Sequence, residues 1–371
     1  MKALGIILAG GTSERMKVLA RKRAIAAMPI AGAYRSVDFA LSNMSNSGIN
    51  TVAVITQYSS RSLNAHLSSP SWWGFGRKQG GLFLLNPTIT QENSNWYRGT
   101  ADALIQNLEF LRERHEPYVI IAAGDGVYKI DFNKVLDAHM EKEAEFTVVC
   151  RRVQEGDETS RFGVVEFDES GRITSWREKS EQADGPYISC GIYVARRRHL
   201  IRVLEECRRE EKFNLVPDVL MKGVDSRRIM AYEHEGYWKN IASVNDYFSC
   251  NMDFLDPQLR RSFFYEYPKI MTRVDDNPPA KFNEDAKVKD SLLAAGSIVS
   301  GRVEHSVVFK KVFVGANSVV KNCILLDDVY VDEGVMLENC IVEKRVKIEP
   351  GTIIRGRGKE PRIITESGET V

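Results

Sequence analysis

Short aliphatic runs and amphipathic stretches alternate along residues 1 to 150 of the chain. The runs ALGIILA (3–9), TVAVITQ (51–57) and YVIIAAGD (118–125) are rich in aliphatic and β-branched residues and are bounded by Gly or polar residues, as buried strands are. GTADALIQNLEFLRER (99–114) places apolar residues at 104, 108 and 111. That spacing predicts a helix, with Thr100 as its N-cap. FNKVLDAHMEKE (132–143) predicts another. Strands that alternate with helices imply crossover units and a mostly parallel sheet. Further on, RFGVVEFDESGRITSWREK (161–179) reads as a hairpin turning at DESG, and YISCGIYVA (187–195) as a strand. The arginine-rich RRRHLIRVLEECRRE (196–210) reads as a helix. Its arginines suit an anionic effector, or simply a solvated face.

The pattern changes near Asp256. DNPPAKFNED (276–285) is a connector without periodicity. A repeat follows. Val314, Val331 and Ile348 are seventeen apart (331−314 and 348−331), as are Val303, Val320, Leu337 and Ile354. The pair Asn-Cys recurs at 322–323 and 339–340 with the same offset. Short aliphatic faces with polar and Gly corners predict a stacked parallel β-helix. Cys323 and Cys340 then stack as core filler rather than as a redox pair. The expected division is residues 1–255 as one α/β domain, 256–285 as a linker, and 286–371 as the β-helix.

Composition narrows the class. The 371 residues exceed one ordinary domain. Lys and Arg number 51 against 50 Asp and Glu, which points to neither nucleic acid nor an anionic membrane. ALGIILA is too short to span a bilayer. Six scattered Cys without zinc-type spacing imply a reducing cytoplasm.

Candidate chemistry lies at strand ends. LAGGTSERM (8–16) follows the first strand, and its glycines let backbone N–H groups approach phosphate; a plain tight turn gives the same pattern. AGDGVYKID (123–131) puts Asp125 at the carboxyl edge of the sheet, where α/β ligands bind. It suits a Mg²⁺ ligand or a loop cap. Lys179, in WREKSE (176–181), suits a sugar phosphate or a surface ion pair. Gly99 and Thr100 open a helix, a position suited to an anion. GYWKNIAS (236–243) closes the α/β pattern with Lys239 and Asn240 where a catalytic carboxylate is common.

Taken together, these stretches resemble glucose-1-phosphate adenylyltransferase, also called ADP-glucose pyrophosphorylase, over nearly the whole chain. YRSVDFALSNMSNSGI (34–49) and NWYRGTADALIQN (95–107) carry the resemblance most specifically. It implies a Rossmann-like nucleotidyltransferase domain followed by a left-handed parallel β-helix of hexapeptide type. The family's reaction joins ATP and glucose 1-phosphate to give ADP-glucose and pyrophosphate, with Mg²⁺ held by two aspartates. By resemblance, Gly10, Gly11, Arg15, Gly99 and Thr100 bind nucleotide, Glu178, Lys179 and Ser189 bind sugar phosphate, and Asp125 is a residual metal ligand.

The departures point elsewhere. Catalytic members read G-G-x-G-T-R, often with Arg at x; here Thr12, Ser13 and Glu14 precede Arg15. R-A-K-P becomes RAIA, with Ile25 for lysine. G-D-H becomes Gly124-Asp125-Gly126, and W-E-D-I-G-T becomes Trp238-Lys239-Asn240-Ile241-Ala242-Ser243. An Asn carbonyl offers Mg²⁺ a dipole instead of a charge, and Lys239 is expected to repel the metal. Phosphate and metal sides are degraded together. The expectation is therefore a regulatory subunit of glycogen biosynthesis, in a hetero-oligomer, a tetramer, with a catalytic homologue, and with a sugar phosphate or nucleotide as effector. A weakly active adenylyltransferase is the alternative. An acyltransferase is a third reading, for which the rungs offer only His305, a corner residue.

Overall fold

The structure, a computed structural model, describes residues 3–76, 80–88, 96–155, 157–178, 185–358 and 360–366. It divides into two compact units, each discontinuous in sequence. The first is Met1–Gly11 with Phe39–Trp238; the second is Thr12–Asp38 with Lys239–Val371. This differs from the sequential division at residue 256. A hydrophobic pattern along the chain marks elements, but it does not mark which distant elements pack together.

The first unit is built on one nine-stranded sheet. Its strands are β1 (Ala3–Ala9), β2 (Thr51–Thr56), β3 (Gly81–Leu85), β4 (Tyr118–Ala123), β5 (Phe146–Arg152), β6 (Gly163–Phe167), β7 (Ile173–Glu178), β8 (Tyr187–Arg196) and β9 (Ile229–Glu233). The main path runs β7-β6-β8-β4-β1-β2-β3, and β9 joins through β5 to β8. β1 is central: it is parallel to both β2 and β4, and it is apolar at nearly every position because both faces are covered. The expected mostly parallel sheet is in fact mixed. β8 runs antiparallel to β4, β5 and β6, so the hairpin and its return strand enter the same sheet.

Two expected elements differ in detail. The helix over 99–114 is broken into α1 (Thr100–Ile105) and α2 (Leu108–Arg112). At the break the Asn107 amide donates to Ala103 O at 2.8 Å and to the Tyr97 hydroxyl at 3.0 Å, a side-chain competition that interrupts the ladder. The helices α3 (Phe132–Glu141) and α4 (Arg197–Arg209) fall where the spacing places them. Arg197 on α4 is half-buried: its guanidinium donates to Glu116 O and Leu111 O at 2.8 and 2.9 Å. Among the described residues no helix is long and apolar enough to cross a membrane.

The second unit contains the parallel coil. The seventeen-residue repeat is its rung: Val303, Val320, Leu337 and Ile354 are successive partners, as are Val314, Val331 and Ile348. Cys323 pairs with Cys340, both fully buried thiols. The Asn before each Cys turns the corner with positive φ, +50° at Asn322 and +53° at Asn339, and the two amides stack at 3.1 Å. His305 occupies the same kind of corner, its ring 2.8 Å from Asp290. The coil starts earlier than residue 286, since Lys281–Phe282 already pairs with Ile298–Val299. The stretch before it is not a bare linker: Phe263, Phe264 and Ile270 are buried.

Adjacent residues of a strand point to opposite faces. Leu325, Val342 and Ile364 fill the inside of the coil; their neighbours Ile324, Ile341 and Ile363 point the other way yet are also fully buried. The segment 12–38 lies on this unit. Gly32, at φ +78°, packs so closely that a Cβ there would meet Leu292 Cδ2 at 2.4 Å. Three ion pairs tie the segment to the last rungs: Arg23 to Glu343 at 3.3 Å, Lys17 to Glu360 at 2.6 Å, and Lys22 to Glu366 at 3.2 Å. Only the first is largely buried, so it contributes most to holding the segment.

Candidate active site

In the first unit the candidate residues stand at the carboxyl ends of β1, β4 and β2 and on β7 and β8. Gly10 follows β1 beside Gln57, which follows β2; a Cβ on Gly10 would meet Gln57 Cβ at 3.1 Å. Beyond Gly11 that direction is open for 4 Å. Asp125 follows β4 and is partly exposed. Gly126 replaces the histidine that the resemblance implies, and no larger side chain fits without movement: a Cβ would lie 3.0 Å from Tyr128 Cε1 and 3.6 Å from Trp238 Nε1.

Two buried polar atoms next to Gly126, the Tyr128 hydroxyl and Trp238 Nε1, have no hydrogen-bond partner among the described residues. Burial pushes the Tyr128 hydroxyl well up, and the nearby Cys190 and Asp125 push it the same way, so it stays protonated. Burial also raises the Cys190 thiol; it is not a nucleophile at neutral pH. Orphaned buried polar atoms are costly.

Ser189 sits where β8 changes register, between its pairing of Ser189 with Cys150 and of Ile192 with Val149. The bulge turns on Gly191 at φ +70°, where a Cβ would press on Ala123 Cβ at 3.2 Å. Bulges of this kind re-aim side chains beside functional sites. Ser189 itself is buried, and its hydroxyl accepts from Gly191 N at 3.4 Å. Glu178 ends β7 with one carboxylate oxygen 3.2 Å from the Trp176 indole N–H. Lys179 lies outside the described residues.

Gly99 and Thr100 lie where α1 meets the loop around Phe213. The α1 amides of Ala101 and Asp102 both donate to Phe213 O, at 2.8 and 3.0 Å, and the Thr100 hydroxyl accepts from Leu215 N at 2.9 Å. A Cβ on Gly99 would lie 2.4 Å from Phe213 O. These residues lock one loop against another. The Ala101 and Asp102 amides at the helix start are thus already occupied.

Sequence reasoning missed the basic cluster on β5. Arg151, buried, forms a bidentate pair with Asp157 at 2.8 and 2.6 Å and stacks over Trp238 at 5.2 Å. Arg152 donates to the Tyr187 hydroxyl at 2.8 Å, which bonds Glu233 at 3.3 Å. His234 is held neutral mainly by burial, with Arg151 adding to the effect. No local motif announces this cluster; only the strand pairing of β5 with β8 and β9 assembles it.

The most altered positions lie in the second unit and bond to one another. Ser13 donates to Ala242 O at 2.5 Å. The Asn240 side-chain oxygen accepts from Ala242 N at 2.9 Å. Lys239 reaches the Asp253 carboxylate at 2.6 Å, so its charge is paired where it stands. Ser243 caps α5 (Val244–Asp253) through the amide of Asp246. Ile25 is a core residue, 5% exposed, rather than an apolar side chain at the mouth of a site. Thr12, Glu14 and Arg15 are exposed.

The fit to Mg²⁺ is poor. Among the described residues no three His, Cys, Asp or Glu form a group able to hold a metal, and the Asn240 amide is already bonded. Asp125 supplies one charge, and a magnesium ion would have to arrive with the phosphates it bridges.

Residues 4–257 match the nucleotidyl transferase family, and residues 278–362 match the GlmU-like C-terminal hexapeptide family. The chain is 37% identical over 330 residues to the glucose-1-phosphate adenylyltransferase of Clostridium perfringens strain 13, covering 87% of this chain and 83% of the relative. It is 38% identical over 323 residues to that of Clostridium acetobutylicum, covering 85% and 84%. It is 34% identical over 326 residues to that of Fusobacterium nucleatum, covering 86% and 84%.

Proposed function

The chain belongs to the glucose-1-phosphate adenylyltransferase family, and on that premise we propose that it is a non-catalytic, regulatory subunit that modulates a catalytic homologue in ADP-glucose synthesis. One observation carries the reading. The stretch Lys239–Ala242, where the family resemblance implies metal-binding acids, uses its polar atoms internally: Lys239 on Asp253, Asn240 on Ala242 N, and Ser13 on Ala242 O. A side chain bonded within its own loop is not presented to a metal or a triphosphate. Losing the metal's charge alone removes several kcal/mol from the transition state, and each ~1.4 kcal/mol is a factor of ten in rate.

The partner in this proposal is the catalytic subunit, in a hetero-oligomer of tetramer size, in a reducing cytoplasm that suits six free buried cysteines. Sugar phosphate or nucleotide binds as effector. Mg²⁺ enters only with a nucleotide's phosphates. Asp125 and Glu178 favour a second reading, a weak adenylyltransferase in its own right.

The test is the rate of ADP-glucose formation by the purified chain, alone and mixed with the catalytic homologue. The proposal expects no turnover alone and altered kinetics in the mixture. Turnover alone at an ordinary enzyme rate, about 1–10³ s⁻¹, selects the second reading.

A further inference from the structure

A face of the coil that lies open to solvent among the described residues carries two outward columns of side chains. It forms where strands Lys287–Lys289, Arg302–Glu304, Val319–Leu325, Met336–Val342 and Ile353–Arg355 stack in parallel. Val303, Val320 and Leu337 point inward and are fully buried, so the residues on either side of them point outward. The first column reads Lys287, Arg302, Val319, Met336, Ile353, and the second Lys289, Glu304, Lys321, Glu338, Arg355. The first is apolar over its last three rungs, and its Ile353 is 67% exposed. The second alternates in sign from each rung to the next.

Contacts within the chain account for part of this. Lys321 and Arg355 reach Glu338 at 3.7 and 3.5 Å, and Arg302 reaches Glu304 at 2.5 Å. Such surface pairs add little stability, and they leave the apolar column beside them without a partner. The face does complement its own reverse. A second copy can lie face to face with the first, turned about an axis along the strands, so that each column meets its own kind with the rungs in opposite order. With the axis midway between the rungs of Val319 and Met336, Val319 meets Met336 of the second copy and Ile353 lies over the stem of Arg302. Lys321 then meets Glu338, and Glu304 meets Arg355. An axis half a rung away, through Val319, sets Glu304 on Glu338 and Lys321 on itself. An axis a whole rung away, between Arg302 and Val319, puts Val319 against Arg302 and Met336 against Lys287. A turn about the coil axis lays the apolar column on the charged one. Among registers that engage more than two rungs, only the first satisfies both columns.

We propose that this face pairs two copies of the chain in antiparallel fashion, Val319 against Met336 and Lys321 against Glu338 across a two-fold axis. The proposal stands apart from the regulatory reading and holds whether or not the chain turns over substrate. A rung spacing of about 4.8 Å makes the five-rung face ~20 Å long, small against the roughly 800 Å² per partner of a standard interface. The pairing is accordingly weak and reversible. Its charges set register and choice of partner more than strength, and salt weakens it.

Sedimentation of the full chain at rising concentration, at low salt and at roughly 0.5 M salt, tests the pairing. Two charge-swapped variants accompany the parent. Glu304→Lys with Glu338→Lys makes the ladder uniformly positive; Lys289→Glu with Lys321→Glu and Arg355→Glu makes it uniformly negative. A thermal melt checks that both remain folded. The expected result is an association step in the parent that the added salt weakens about tenfold or more. Each variant alone loses that step, and an equimolar mixture of the two regains it. Air oxidation of single cysteine variants reads the register, since the native thiols are buried. Val319→Cys and Met336→Cys should cross-link with each other, and neither with itself. The proposal is overturned by a parent without a salt-weakened step, by variants that assemble alone as the parent does, by a mixture that stays apart, or by a Val319→Cys protein that cross-links to itself. None of these outcomes bears on the regulatory reading, which fails only through turnover in the activity assay.

Discussion

The Lys239 ammonium lies 2.6 Å from the Asp253 carboxylate. Position 239 is thus half of a charge pair between a strand end and α5, so restoring an acid there confronts Asp253 with a like charge. Lys239→Glu should lower unfolding stability by about 1 kcal/mol, and Asp253→Lys added to it should recover most of that. Urea midpoints at constant slope test this; two single effects that simply add would show that the pair carries no coupling.

Asn240→Asp should fold as the parent does, because a carboxylate oxygen can accept from Ala242 N just as the amide oxygen does. It should not restore catalysis, because Ser13 and Glu14 still occupy the phosphate loop. Adding Thr12→Arg, Ser13→Gly, Glu14→Thr and Lys239→Glu with Asp253→Lys should bring measurable ADP-glucose formation, with strongly non-additive gains. Steady-state rates with ATP, glucose 1-phosphate and Mg²⁺ decide the matter. Full activity from Asn240→Asp alone would show that the loop is not a separate lesion.

Ile25→Lys belongs outside any such repair set. The side chain is buried in the second unit, and a charge placed there should cost about 3 kcal/mol or more. Ile25→Val should cost about 1 kcal/mol. Chemical denaturation of the two variants gives the comparison; a stable Ile25→Lys protein would mean that the site opens to solvent.

Stability should fall between pH 6.5 and 4. His139 is buried, and burial, helped by Arg196 and His199, lowers its imidazole to about 4. The unfolded chain protonates this group near pH 6.5 while the folded chain resists. Stability is therefore full above pH 6.5, declines as pH falls, and levels off for this group below 4. The size is on the order of 3 kcal/mol. His234 and His199 shift in the same direction. Melting temperatures from pH 7 to 4.5 should slope less steeply in His139→Asn than in the parent.

The rungs were legible because a repeat at a fixed period leaves the same residue types in the same column: Val303, Val320 and Leu337 announce one another. β1 and the hairpin DESG were legible for a similar reason, since alternation and turn residues are local signals. The bonds of Ser13 and Thr100 were not. Each depends on a contact with chain far away in sequence, Ser13 with Ala242 and Thr100 with Leu215, and no spacing encodes such a contact. At the Gly99–Thr100 stretch the contact with Phe213 had no local signal, because a helix start looks the same whether its amides face a ligand or a carbonyl.

Residues 12–38 travel with the coil, bound to it through Arg23 and Glu343 and moulded to it at Gly32. For anyone recombining relatives, the natural seam is then not the apparent junction near residue 256. A chimera joined there takes its 12–38 strap from one parent and its rungs from the other, and splits a single body between two histories. Grafts that move the coil intact must carry the strap with it, and lineages that exchanged such coils should bear three crossover points in place of one.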